Sequence, residues 1–162
     1  MTVRDCLPVQ IGEVRIGRAG QTLTAILGSC IGLGFLMPQR GICGLAHALL
    51  ARSDGSPDTK GDGRHVDQAI ATLLRDMNIA AGHDRRRVQV FLAGGANMTR
   101  PVGTDPGRLV GSINADFARA AVRAAGLRLL RDDTGGEHGR RVTIDCSTGD
   151  FTIDPIPRIG AS

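Results

Sequence analysis

The stretch from residue 31 to residue 50 constrains the fold more than any other part of the chain. Ile31, Leu33 and Phe35 alternate with Gly32 and Gly34, a period of two that predicts a strand with one bulky face and one nearly bare face. Pro38 to Gly41 supplies a turn, and Ile42 to Leu50 is a second apolar run of strand length. Two such runs around a short turn predict an antiparallel hairpin. Centred on that turn, the hairpin sets His47 opposite Gly32 and makes Cys30 its diagonal neighbour. A thiol and an imidazole then flank the glycine face, where a substrate side chain could approach.

The remaining pattern places further elements around that hairpin. Val9, Ile11, Val14 and Ile16 suggest short strands or a bent hairpin, and Gln21 to Leu27 reads as a strand ending at Gly28. Arg52 to Gly63 is a polar, glycine-containing loop of the kind that serves as a lid or binding edge. Val66, Ala69, Ile70, Leu73, Leu74 and Met77 share one face at helical spacing, with Gly82 near the expected end. Arg87 to Leu92 is a strand leading into Ala93-Gly94-Gly95-Ala96-Asn97. A second helix, capped by Ser112, buries Phe117, Ala120, Ala121 and Ala124 and stops at Gly126. Leu127 to Leu130, Arg141 to Asp145 and Phe151 to Ile156 complete the strands, the last two flanking a Ser147-Thr148-Gly149-Asp150 turn. This order predicts an α/β or α+β layered sandwich, one mixed β-sheet with two main helices, in a single domain spanning residues 1–162.

Composition narrows the functional classes. Only 2% of the 162 residues are aromatic, with four Phe and no Trp or Tyr, so the core is built from Ala, Val, Ile and Leu. The +4 charge is carried almost wholly by arginine, Lys60 being the one lysine. Without aromatic platforms for base stacking, a nucleic-acid role is not expected. The Arg85-Arg86-Arg87 run reads as a solvated loop, and a modest positive charge favours an acidic protein partner. No apolar run is long enough for membrane insertion. The N-terminus lacks a signal-peptide core, so a cytoplasmic location is expected. Four irregularly spaced cysteines in such a chain argue against disulfides.

Chemistry gathers at Cys30. The strand Thr24-Ala25-Ile26-Leu27 runs into Gly28-Ser29 and delivers a cysteine just past a tight turn, where backbone N–H groups can stabilise an oxyanion. A free thiol is only slightly ionised at neutral pH, and a neighbouring imidazole such as His47 corrects that by taking its proton. Gly94, Gly95 and Asn97 end a strand and can line the same cleft. Gly94-Gly95 lacks the Lys and Thr of a phosphate-binding loop. Residue types alone leave a packing role open for both Cys30 and His47. Cys43 is a rival nucleophile, but four residues of strand separate it from His47 by roughly 13 Å, and it reads as packing. Cys6 and Cys146 read as structural, and His65, His83 and His138 as solvated. Cys43 and His47 are spaced better for a helical than a strand-borne zinc site, and no second ligand pair is evident, so no metal is expected.

Leu27-Gly28-Ser29-Cys30-Ile31 followed by Gly41-Ile42-Cys43-Gly44-Leu45-Ala46-His47 resembles the hallmark of the CheD chemoreceptor glutamine deamidases. Asp67-Gln68-Ala69-Ile70 resembles the family's helix entry, and Phe91-Leu92-Ala93-Gly94-Gly95-Ala96-Asn97-Met98 its Gly-Gly-Ala motif. Val110-Gly111 with Asn114, then Gly135-Gly136, Gly139-Arg140 and Thr148-Gly149, resemble its later blocks, so the likeness covers nearly the whole chain. The resemblance implies a protein-glutamine glutaminase, an amidohydrolase with a Cys30–His47–Thr24 catalytic set, Thr24 orienting the imidazole. Gly28 and Ser29 before Cys30, with Gly94, Gly95 and Asn97, are read as the substrate and oxyanion region, and the resemblance implies a fold similar to the cytotoxic necrotising factor deamidases. No cofactor is implied, because the chemistry is acyl transfer. The implied partners are the cytoplasmic domains of chemoreceptors, as substrate, and a CheC-type phosphatase, for which the chain would otherwise be a regulatory binding module. A thiol protease shares the same Cys–His logic. Three positions depart from the family pattern: His65 follows Arg64 where an aromatic is usual, Ile113 replaces an arginine, and Ala48-Leu49-Leu50-Ala51-Arg52 lacks the usual proline.

Overall fold

The computed structural model describes residues 5–53 and 63–158. The middle of the polar loop, residues 54–62 with Lys60, lies outside the described residues. Among the described residues the elements form two sheets rather than the single sheet expected. The first has the order β1-β3-β8-β9: β1 (Asp5–Pro8), β3 (Gln21–Leu27), β8 (Gly139–Asp145) and β9 (Phe151–Ile156). The second has the order β2-β5-β4-β6-β7: β2 (Val14–Arg18), β5 (Ile42–Ala48), β4 (Ile31–Met37), β6 (Gln89–Gly94) and β7 (Arg128–Thr134). Three helices accompany them, α1 (Val66–Asp76), the short α2 (His83–Arg87) and α3 (Val110–Ala124). None is long and apolar enough to cross a membrane. The chain is thus a mixed α+β fold.

The second sheet is the middle layer, which explains why β4 and β5 are buried along their whole length. A strand covered on both faces reads as continuously apolar instead of alternating. Ile31, Leu33, Phe35 and Met37 of β4 point to the helices, where they pack with Ala69, Leu73, Ala118 and Val122. Leu36 of β4 with Cys43 and Leu45 of β5 point the other way, into a second core shared with Leu23, Ala25, Val142 and Ile144 of the first sheet. The hairpin register is as the sequence predicts, with Gly32 paired to His47 and Met37 to Ile42.

The bare glycine face, however, is not open. Leu27 of the first sheet lies against Gly32, and the Phe91 ring leans from the neighbouring strand over Gly34. Phe91 in turn stacks on Phe151 of β9, ring centroids 4.3 Å apart. The glycines therefore make room for large side chains between the sheets, not for a ligand. Other boundaries also move. Arg85 to Arg87 belong to α2 rather than a loop, and Arg85 Nη1 donates to the Ala125 carbonyl. Leu109 caps α3, so Ser112 lies inside the helix it was expected to start.

A Cβ at position 34 would overlap the Phe91 ring. Gly34→Ala is expected to destabilise the fold by about 1–3 kcal/mol through overpacking, read as a lowered midpoint in urea denaturation.

Candidate active site

Alternation along β5 turns His47 to the same side as Cys43 and Leu45, into the space between the sheets. Cys30, one residue before β4, belongs to the same inter-sheet core. The two residues share a face at the end of the β4–β5 hairpin. Both are nearly covered, Cys30 at 6% exposure and His47 at 3%. Among the described residues no hydrogen bond joins the Cys30 thiol to the ring.

His47 is clasped by residues 9 to 13, the link between β1 and β2. Its backbone N–H donates to the Glu13 carbonyl at 3.0 Å, and its carbonyl accepts from Gly12 N at 2.8 Å. Its ring Nδ1 lies 3.0 Å from the Val9 carbonyl oxygen. A carbonyl can only accept, so Nδ1 carries the ring proton and Nε2 keeps its lone pair. Burial lowers the His47 pKa, opposed by the Val9 hydrogen bond and the charge of Glu13. Burial also pushes the Cys30 thiol pKa up. Both shifts favour the uncharged thiol and the uncharged imidazole over a stored ion pair.

Thr24 does not orient the ring through its hydroxyl. Thr24 lies on the opposite face of β3 from Leu23, Ala25 and Leu27, and its Oγ1 donates to the Val142 carbonyl at 2.9 Å. Its link to His47 runs through the backbone. The Thr24 carbonyl accepts from Val9 N at 2.8 Å, and Val9 then holds the ring. The group facing Nδ1 is thus a main-chain carbonyl. No side-chain type announces such a role, so nothing in the sequence marks Val9.

The predicted glycine loops do meet. Gly95 N donates to the Cys30 carbonyl at 2.9 Å, and Ala96 N to the Gly28 carbonyl at 3.0 Å. Gly94 and Gly95 have φ of 99° and 64°, a region that favours glycine, and a Cβ on Gly94 would strike the Cys30 carbonyl oxygen. Among the described residues, neither the Ser29 nor the Cys30 N–H has a backbone acceptor. The Asn97 amide is used within its own loop: Oδ1 accepts from Arg100 N and Nδ2 donates to the Pro101 carbonyl. Arg140, which the sequence did not mark as part of the site, is 3% exposed. It donates to the Gly94 carbonyl at 3.3 Å and pairs with Asp133 at 3.2 Å, bracing the glycine turn from the first sheet.

A cleft of about 250 Å³ opens beside this constellation, lined by Ser29, Asn97, Met98, Arg100, Arg108 and Val110 among others. It reaches Ser29 and stops one residue short of Cys30. The other thiols lie elsewhere. Cys6 is exposed, while Cys43 and Cys146 are buried and share a hydrogen bond between the sheets that raises the Cys146 pKa. Among the described residues no three His, Cys, Asp or Glu side chains come together as a metal site. His65 pairs through its backbone with Leu50 at the entry to α1, and Ile113 is half exposed on α3.

Comparison with known proteins agrees with the resemblance. The family model described as CheD chemotactic sensory transduction matches residues 49–155, a span that begins two residues after His47. A curated relative from Ruegeria sp. (strain TM1040), named probable chemoreceptor glutamine deamidase CheD 2, is 52% identical, covering 96% of this chain and 95% of that one. A probable chemoreceptor glutamine deamidase CheD from Natronomonas pharaonis is 33% identical, covering 91% of this chain and 86% of its own. Among solved structures, YlmD from Geobacillus stearothermophilus matches with a TM-score of 0.45 and 16% identity, over 76% of this chain and 50% of that one, a likeness too faint to assign a fold.

The lowered His47 pKa makes stability depend on pH. The unfolded chain binds more protons than the folded one between the ordinary imidazole value of about 6.5 and the lower folded value. Stability therefore rises with pH through that window, is complete above it, and is lost as pH falls. Urea denaturation from pH 5 to 8 should show this slope in the parent chain and a reduced slope in His47→Gln.

Proposed function

The chain belongs to the CheD family, and from that premise we propose that it is a protein-glutamine deamidase acting on chemoreceptors, with Cys30 as nucleophile and His47 as base. The observation that carries the reading is a buried thiol just before β4 and a buried imidazole on β5, on one face of the hairpin, the ring's Nδ1 tied to Val9 so that Nε2 is the basic nitrogen.

The reaction starts from the neutral pair. The glutamine side chain enters through the cleft at Ser29, and the Cys30 thiol gives its proton to His47 Nε2 as sulfur attacks the carboxamide carbon. Catalytic hydrogen bonds that are absent in a free enzyme commonly form only with substrate in place. Charge on the carboxamide oxygen is met by the Ser29 and Cys30 N–H groups, donors with no other backbone partner. The imidazolium then protonates the departing nitrogen, and ammonia leaves a thioester on Cys30. Water, deprotonated by His47, attacks that thioester and frees glutamate with the thiol restored. Val9 fills the third-group role by fixing the ring's tautomer, as the carboxylate does in a serine triad. Every step is acyl transfer between groups the chain supplies, with no cofactor.

The same reading places the chain in the cytoplasm with the receptor's signalling region, and in the deamidase fold typified by the cytotoxic necrotising factors. Docking onto a CheC-type phosphatase is a separable part of it, since a pure adaptor releases no ammonia. Nothing in the reading calls for nucleic acid or membrane insertion.

Mixed with a chemoreceptor cytoplasmic region, the parent chain should release ammonia and convert glutamine to glutamate in an uncut substrate, seen by mass spectrometry. Cys30→Ala and His47→Gln should each lower the rate by at least about a thousandfold. Normal turnover in either variant defeats the assignment, and a cut substrate points to proteolysis. With iodoacetamide at pH 7, the raised Cys30 pKa predicts alkylation slower than that of exposed Cys6.

A further inference from the structure

The cleft that reaches Ser29, one residue from Cys30, has a charge pattern the deamidase chemistry does not use. Arg100 and Arg108 both line it, from opposite ends of the 97–109 loop, and both are exposed. No Asp or Glu lines it. Several other arginines pair with carboxylates: Arg15 with Glu13, Arg40 with Asp84, Arg119 with Asp116 and Asp132, Arg140 with Asp133 and Arg158 with Glu137. Among the described residues neither Arg100 nor Arg108 has such a partner. The nearest acid in sequence, Asp105, is engaged by its own loop, its Oδ1 accepting from Gly107 N at 3.0 Å.

The loop that carries these cations is held in place. Asn97 closes its start through Arg100 N and the Pro101 carbonyl. Arg158, itself paired with Glu137, donates to the Arg100 carbonyl at 2.6 Å. The Met98 side chain packs over Gly28, two residues from the nucleophile. Two unpaired guanidinium groups on a braced loop, at the mouth of a cleft with no acid of its own, are complementary to carboxylates on whatever enters.

We propose that Arg100 and Arg108 form a carboxylate-reading rim, so that the chain selects glutamines carried beside acidic residues of its protein substrate. The inference rests on the deamidase reading and adds to it a substrate preference set by charge. The glutamine enters towards Ser29 and Cys30 while neighbouring Asp or Glu side chains pair with the two guanidinium groups.

The test uses the full chain and a chemoreceptor cytoplasmic region containing glutamines with and without acidic neighbours, each conversion followed by peptide mass spectrometry. The double variant Arg100→Glu/Arg108→Glu should slow conversion at acid-flanked glutamines on the order of tenfold, as reversal of two partly exposed charge pairs allows, and change neutral-flanked sites less than about threefold. Exchanging the flanking acids of one site for lysine should restore that site to the double variant and slow it for the parent. Both positions are exposed, and an unchanged denaturation midpoint excludes misfolding. Conversion by the parent that ignores flanking charge, or a uniform loss at all sites in the variant, overturns the selectivity alone. No conversion of any glutamine by the parent overturns the deamidase reading and the selectivity with it.

Discussion

The clasp on His47 is the constraint on which the site depends. Three main-chain bonds from residues 9 to 13 hold this one residue: Glu13 O on its N–H, Gly12 N on its carbonyl and Val9 O on its ring. A buried polar group without a partner costs on the order of 1–3 kcal/mol, so the ring is stable between two apolar sheets only while Val9 stays in place. The same bond decides which nitrogen is basic. One interaction thus accounts for both the imidazole's burial and its chemistry.

The sulfur is fixed from the opposite side. Gly95 N and Ala96 N donate into the carbonyls of Cys30 and Gly28, and Arg140 and Gly135 N converge on the Gly94 carbonyl. Strand ends from both sheets meet there, and only residues without a Cβ allow the backbones to approach so closely. Burial then does opposite things to Cys30 and His47. It raises the thiol pKa and lowers the imidazole pKa, which keeps both neutral until a substrate arrives. In the proposed mechanism the thiol would become nucleophilic only at the moment of attack.

Local patterns were legible in the sequence where they are set by short-range chemistry. The β4–β5 register followed from a turn between two apolar runs, and α1 from its spacing. What the sequence hid was tertiary. Alternating glycines mark a face that needs space but not what fills it; Leu27 and Phe91 fill it here. The split into two sheets follows from β1 pairing with β3 while β2 pairs with β5, a choice that strand-length apolar runs do not encode. Thr24 entered as the orienting group through the family resemblance, not through anything its own place in the strand announced. Strand alternation turned it to the far face, and a carbonyl, carried by every residue alike, took the position.

The account stands most directly on the protonation of one ring. The ¹⁵N shifts of His47, titrated in the parent chain and in Cys30→Ala, report its tautomer and charge. A neutral ring protonated at Nδ1 at pH 7, with a pKa below the ordinary imidazole value in both proteins, is the predicted result. A ring protonated at Nε2, or an imidazolium at pH 7 that depends on the Cys30 sulfur, would contradict it.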